Sequence, residues 1–133
     1  MASTTYAQNL VQDLMFGGVD FTPPSNYYLA LSTTTVSVSG SNVTEPSGAG
    51  YERASVPNTK SYFTYSTSGC VVNSGSVVFP ISSGSWGTIV DIAIMSGSTS
   101  GSTMNYATLS SPIIVQTNTL ISFSASAITL SQS

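Results

Sequence analysis

A chain of 133 residues, 41% of them hydrophobic, is long enough for one domain with a single core and too apolar for a disordered segment. Charged residues make up only 5% of it, and polarity comes instead from hydroxyl groups, since 27 residues are Ser and 17 are Thr. The net charge is −3, and two basic residues are too few to neutralise several phosphates, so the composition excludes binding to nucleic acid.

The first predicted element is a helix over residues 4–16. Apolar side chains recur there at three- and four-residue spacing and form one stripe, which comprises Tyr6, Ala7, Leu10, Val11 and Leu14. Ser3 or Thr4 can cap the start of this helix, and the two glycines at 17–18 supply its end. A single short helix is not stable alone in water, so we expect its stripe to close one end of a sheet core.

Short β-favouring runs separated by turn residues follow the helix. Residues 26–34, 51–56 and 77–79 are predicted to be strands because apolar side chains alternate or cluster there between Pro, Asn and Gly. The aromatic segment 60–66 is consistent with either an edge strand or a loop that covers the core. Residues 35–50 form a long loop rich in Ser, Gly and Thr, and loops of this length are typically functional or mobile.

The longest β-favouring run is 85–95, which contains the single tryptophan. Period-two alternation places Trp86, Thr88, Val90, Ile92 and Ile94 on one face and Ile89, Asp91, Ala93 and Met95 on the other. Both faces are mostly apolar, which is typical of a strand covered on both sides. We therefore predict a central strand here.

The last third of the chain alternates strands with hydroxyl-rich turns. Residues 96–103 form a low-complexity turn, and the predicted strands after it are 104–109, 113–115 and parts of 119–130. Seven or eight short strands at regular spacing predict an all-β fold: an antiparallel β-sandwich or jelly-roll-like domain with one short N-terminal helix. Residues 1–133 contain no internal repeat or linker, so this is a single domain.

The residues that usually carry chemistry are scarce. The chain has no histidine, which excludes histidine triads and histidine metal sites, and its lone Cys70 cannot form a disulfide within the chain or a thiolate cluster. Cys70 is predicted to be a small buried hydrophobe. Asp91 has no second carboxylate nearby and is expected to cap a backbone group or to pair with Arg53 or Lys60. We therefore predict no catalytic residue, no cofactor and no metal.

The targeting and membrane signals are also missing from the sequence pattern. No basic segment followed by an apolar one opens the chain, so no secretory signal is predicted. Asp91 interrupts the longest apolar run, and no run approaches the roughly 20 residues of a membrane span. We predict no membrane partner.

Large side chains in a chain with so few charges are candidate core or interface anchors. Trp86 is the strongest of them because a lone tryptophan at the start of a strand is most often buried in a core or at an interface. Stacking of Trp86 on a sugar, as in a carbohydrate-binding module, is the alternative. The full set of candidate anchors is Trp86, Tyr51, Arg53 and Phe16.

Several segments together resemble a known family. A short helix ending near Phe16, then Phe21–Pro24, then a Tyr-Leu-Ala-Leu strand at 28–31 are similar to the opening of a family of small phage virion proteins. The segment 47–53 is similar to that family's Gly-Gly-Gly-Tyr-x-Arg motif. Val77–Pro80 and Ser85–Thr88 continue the similarity in the same order and spacing.

Members of this family are labelled phage tail fibre or phage structural proteins. The resemblance covers nearly the whole chain and departs from the family pattern in the low charge and in the segment 64–70. It implies a virion structural protein with no catalytic residues to carry over. It does not fix whether the protein decorates the capsid or belongs to the tail.

We expect a capsid decoration or cement protein that binds the particle as a homo-oligomer, because the chain is small, hydroxyl-rich and free of the repeats that a fibre shaft needs. Its expected partners are further copies of itself and other virion proteins such as the major capsid protein, and its expected location is the virion, assembled in the host bacterial cytoplasm. A tail or tail-fibre-associated protein is the second candidate, and a carbohydrate-binding module is the third. An enzyme is the least favoured function.

Overall fold

The computed structural model describes residues 1–131 and contains one helix and nine strands within that range. The helix is α1 (Thr5–Met15), and the strands are β1 (Ala2–Ser3), β2 (Asn26–Ser32), β3 (Ala54–Pro57), β4 (Cys70–Val72), β5 (Val77–Val78), β6 (Gly87–Met95), β7 (Thr103–Val115), β8 (Ser122–Phe123) and β9 (Thr129–Ser131). The prediction of an all-β domain with one N-terminal helix is confirmed.

The main sheet has five antiparallel strands in the order β1-β7-β6-β2-β3. Strand β6 is the middle one, as its two apolar faces predict; it pairs with β7 from Gly87 to Met95 and with β2 from Asp91 to Met95. β3 is shorter than the predicted strand over 51–56, since it begins only at Ala54. The sheet therefore has a long, well-paired centre and short strands at both edges.

The second layer is made of two separate ribbons, β4 with β9 and β5 with β8, instead of one continuous sheet. Ribbon side chains Val77, Phe79 and Ile121 are buried in the same cluster as Leu29, Leu31, Ile92 and Ile94 of the main sheet. The segment 60–66 is a loop, and its Phe63 joins this core. The two layers form a sandwich whose core lies between sheet and ribbons.

The alternation predicted for β6 is wrong at one position. Ile89 packs in the same core as Ile92 and Ile94, whereas Ala93 and Met95 lie in a small cluster on the opposite face. The register of β6 against β7 shifts between Ile89 and Asp91. A β-bulge adds a residue to the alternation, so Ile89 comes to lie on the face of Ile92 and Ile94.

Strand β7 is continuous where two strands were predicted. Thr108 pairs with Asp91 and Ile113 pairs with Ile89, so residues 109–112 lie opposite Val90 alone. The intervening residues include Pro112, which lacks a backbone N–H and is tolerated in a strand at an irregularity of this kind. The pairing of β7 with β6 is therefore interrupted in the middle of the strand.

Helix α1 begins and ends as predicted. The hydroxyl of Thr4 accepts a hydrogen bond from the Ala7 N–H at 3.2 Å, and Phe16 follows the last helical residue. The predicted packing of the helix is only partly right, because Ala7 is the single helical residue that is buried and the Leu14 side chain is 50% exposed. The stripe is thus buried or half-buried at Ala7, Leu10 and Val11 and exposed at Tyr6 and Leu14.

The two ends of the described chain meet beside this helix. The Met1 carbonyl accepts hydrogen bonds from the N–H of Ser131 at 3.1 Å and from its hydroxyl at 3.0 Å. Ser3 donates to the Ser131 carbonyl at 2.5 Å. No helix among residues 1–131 is long and apolar enough to span a bilayer.

Candidate interaction sites

Trp86 lies in the core and is only 4% exposed. Its indole Nε1–H donates to the Ala49 carbonyl at 2.9 Å, and the Tyr51 ring stands edge-on to it with the ring centroids 5.2 Å apart. The buried indole therefore has its polar atom paired and its ring packed, as an anchor in a core requires. A ligand has no access to the face of this ring, so the structure does not support sugar stacking at Trp86.

Tyr51 connects the buried tryptophan to an ion pair. Its hydroxyl donates to Glu45 Oε1 at 2.6 Å and accepts from the Leu31 N–H at 3.1 Å. Burial, and then the hydrogen bond to the Glu45 carboxylate, raise the pKa of Tyr51 far above its ordinary value of 10.0. The phenol is therefore a permanent hydrogen-bond donor at neutral pH.

Arg53 makes a two-pronged pair with Glu45. Arg53 Nε donates to Glu45 Oε1 at 2.9 Å, and Nη2 donates to Oε2 at 2.8 Å. Arg53 Nη1 also donates to the carbonyls of Gly97 and Ser100, at 2.5 and 2.8 Å. The side chain of Arg53 is only 7% exposed. The guanidinium thus links the 33–53 loop to the turn after β6.

The surroundings of Glu45 and Arg53 favour the charged form of both side chains. Burial by itself would raise the pKa of Glu45, but hydrogen bonds from Arg53 and Tyr51 outweigh it and lower the pKa below the ordinary 4.5. The hydrogen bonds to Glu45 raise the pKa of Arg53 further. Tyr51 and Arg53 both donate hydrogen bonds to Glu45, and Arg53 also bonds to the turn after β6. The cluster therefore holds the loop and the turn in place.

Glu45 is the member of this cluster that sequence reasoning missed as an anchor. Eight residues separate it from Arg53, and the intervening glycines at 48 and 50 have positive φ angles of 70° and 77°. Those turns bring the side chains of Glu45 and Arg53 together. The pair was not predictable because such turns leave no periodic pattern in the sequence. An open hollow of about 560 Å³ lies beside the pair and is lined by Tyr28, Glu52 and Ser98 among others.

Asp91 is fully buried, and its Oδ2 accepts a hydrogen bond from the Val36 N–H at 2.8 Å. The expectation that it caps a backbone group is confirmed, whereas pairing with Arg53 or Lys60 is not found, since Arg53 pairs with Glu45. Oδ1 of Asp91 has no hydrogen-bond partner among the described residues. The contact fixes the long loop over the second face of the sheet, where Val36 is 4% exposed.

Phe16 differs from the other candidate anchors because its side chain is 70% exposed. Three neighbours are also exposed apolar side chains: Leu14 at 50%, Met15 at 64% and Val19 at 54%. We call these four residues the apolar tip. The structure therefore places Trp86, Tyr51 and Arg53 inside the domain and Phe16 on its surface.

A groove with apolar walls, which we call the apolar cleft, begins beside the tip. One part has a volume of about 310 Å³ and lies between α1 and the β4–β9 ribbon, bordered by Leu14. A second part of about 260 Å³ extends to Lys60. The two parts share Tyr27, Val71, Met104, Asn105 and Leu130. Burial raises the pKa of Tyr27, which keeps this wall uncharged.

Cys70 is only partly buried, which corrects the prediction of a buried hydrophobe. It begins the short strand β4, which pairs with β9 on one side, and its own backbone pairs with Thr67 on the other. In that position the ribbon does not enclose the thiol.

The family model described as Podophage GP4 fiber I protein gp80 matches residues 2–131 of the chain. The match includes all the elements described above, from β1 to β9. No curated protein matches the chain.

Proposed function

Because this chain belongs to the family of the Podophage GP4 fiber I protein gp80, a family of phage virion structural proteins of the fibre type, we propose that it is a subunit of a fibre-type appendage on the phage particle. The family match extends over residues 2–131, so it concerns the whole domain. A structural family favours a non-enzymatic role. The observation that carries the proposal is this match.

The surface of the domain supports attachment by apolar contact. Seven charged residues in 133 leave few groups for ion pairs with a neighbour, and exposed pairs contribute only about 0–1 kcal/mol each. Exposed apolar side chains are plentiful by comparison, and burying them contributes roughly 25 cal/mol per Å². The apolar tip is the most compact group of such side chains in sequence.

Decoration of the capsid surface is the second candidate location. It is favoured by the form of the chain, which folds into one sandwich with no elongated repeat of the kind that builds a fibre shaft. In that location the major capsid protein is its partner. In the fibre location the partners are further copies of this chain and other tail proteins.

Antibody labelling of virions seen by electron microscopy separates these locations. We expect label at discrete appendages of the particle. Label spread evenly over the capsid would support decoration instead, and unlabelled particles would overturn a virion role altogether.

The kind of attachment is tested by the release of the protein from purified virions across a sodium chloride series. We expect retention at high salt, because salt screens ion pairs and leaves apolar contacts intact. Virions carrying Phe16→Ser should lose the protein more easily. Ile114→Ser is the matched control, since Ile114 is 67% exposed and lies outside the tip. Release of the wild type at moderate salt would contradict apolar attachment.

A further inference from the structure

We propose that the apolar tip of one copy of this chain enters the apolar cleft of a second copy. The inference rests on the proposed function and names one of the partners that a fibre-type subunit has. It uses two apolar surface features that lie side by side on every copy and have opposite charges beside them, two carboxylates at the tip and Lys60 at the cleft.

The cleft is suited to receive an apolar group. Its shared walls are formed by Tyr27, Val71, Met104 and Leu130, which are apolar along most of their surface. The helix of the same chain borders one end through Leu14, so an incoming group has free access from the other end, beside Lys60. The floor is the main core itself, because Met104 belongs to the buried cluster.

The tip is an exposed apolar surface whose burial against a partner is favourable. Its four side chains expose on the order of 300–500 Å², which is as large as the largest apolar patch of a typical monomer. A standard interface buries about 800 Å² on each partner. The tip alone falls short of that area, so a stable contact has to include the cleft walls as well.

Charge identifies a second copy as the occupant. Asp13 and Asp20 flank the tip, and both are exposed. Lys60 lies at the open end of the cleft, where its Nζ donates to the Thr64 carbonyl at 3.1 Å and stands 4.7 Å from the centre of the Tyr65 ring. Arg53 is the only other basic side chain and is already paired with Glu45. A tip that enters beside Lys60 brings its two carboxylates to the basic side chain that has no carboxylate partner among residues 1–131.

Each copy has both a tip and a cleft, so the contact is either reciprocal in a two-fold dimer or repeated around a closed ring. In both arrangements every tip is covered and every cleft is filled. The contact uses no sheet edge.

Sedimentation of the untagged full chain over a concentration series tests the contact. We expect the wild type to reach an integer multiple, two or more, of the 13.7 kDa chain mass. Phe16→Ser should move the population to the monomer, with an apparent dissociation constant raised about tenfold or more, whereas Ile114→Ser should not. A monomeric wild type, or a Phe16→Ser variant that associates as the wild type does, would overturn the inference.

Charge reversal tests the pairing of tip and cleft. Lys60→Asp should weaken association about threefold or more, because it places like charges together, and adding Asp13→Lys and Asp20→Lys to the same chain should restore it. Melting curves of all variants check that each is folded. Association unaffected by Lys60→Asp, or not restored by the added changes, would contradict this pairing.

Failure of this inference is separable from failure of the proposed function. A chain that remains monomeric in solution but labels the appendages of virions would overturn the tip-and-cleft contact alone. An oligomer that never labels virions would overturn the proposed function and leave the contact standing.

Discussion

Trp86 stabilises the folded domain as a buried side chain whose polar atom has a hydrogen-bond partner. Trp86 has its ring buried, its N–H bonded to Ala49 and its edge contact with Tyr51. Removing the indole would leave a cavity and an unpaired carbonyl in the same place, and both raise the free energy of the folded state.

Trp86→Ala should therefore lower the free energy of unfolding by about 3–5 kcal/mol. Denaturant unfolding followed by circular dichroism measures this loss. The control is Tyr65→Ala, which removes an aromatic ring that is 76% exposed and should change the free energy of unfolding by only about 0.5 kcal/mol. Near-wild-type stability of the Trp86 variant would show that the indole is not an anchor.

Glu45 makes stability depend on pH in acid. Its pKa is lower in the folded chain than the ordinary 4.5, so folding favours the carboxylate. The stabilisation is complete above the ordinary pKa and is lost as the pH falls through the lower, folded value. The free energy of unfolding should therefore decrease more steeply below about pH 4.5 in the wild type than in Glu45→Gln.

Urea unfolding at a series of pH values from neutral to acid measures this difference. Glu52→Gln is the matched control, because Glu52 is an exposed acid with no ion-pair partner among residues 1–131, and it should keep the steep dependence of the wild type. Identical pH profiles for Glu45→Gln and wild type would contradict a stabilising role for the pair.

At the scale of elements, features that depend on neighbouring residues were predictable from the sequence. Features that depend on contacts between distant segments were not. The cap at Thr4, the end of α1 and the central position of β6 all follow from residues within a few positions. The bulge before Asp91 depends on β7, and the exposure of Leu14 depends on what covers α1. An amphipathic pattern reports that a face is apolar and does not report whether it is covered.

Hydrogen exchange tests how the long loop is held. The amides of residues 91–95 in β6 should be among the slowest to exchange, since this part of the strand is paired on both sides. In Asp91→Ala the Val36 amide should exchange much faster, because its acceptor is gone, whereas Asp91→Asn retains an oxygen acceptor and should protect it. A Val36 amide that is equally slow in all three chains would show that the carboxylate does not hold the loop.

Ion pairs contribute little to the stability of the whole molecule. One ion pair, Arg53 with Glu45, is present among the described residues, and the core between sheet and ribbons is apolar. Composition predicted this balance, and the family resemblance predicted a virion role. The tip and the cleft were not predictable, because they arise where α1, the ribbon β4–β9 and β7 meet.

The free energy of unfolding should consequently vary by less than about 1 kcal/mol between low and high sodium chloride concentrations, since salt screens only charge–charge contacts. Urea titrations at fixed pH across the salt series measure this variation. The variant Glu45→Gln, which lacks the pair, should respond to salt even less. A loss of several kcal/mol in the wild type would reveal a large electrostatic contribution that seven charges do not account for.

The hydrogen bonds between Met1 and Ser131 have a practical consequence for labelling. Both ends of the described chain leave the domain at one point, and Ser3 and Ser131 also line the apolar cleft. A fluorescent protein fused to either end would therefore be tethered beside the part of the cleft that α1 borders, away from Lys60, and its bulk would hinder the close approach of a second copy.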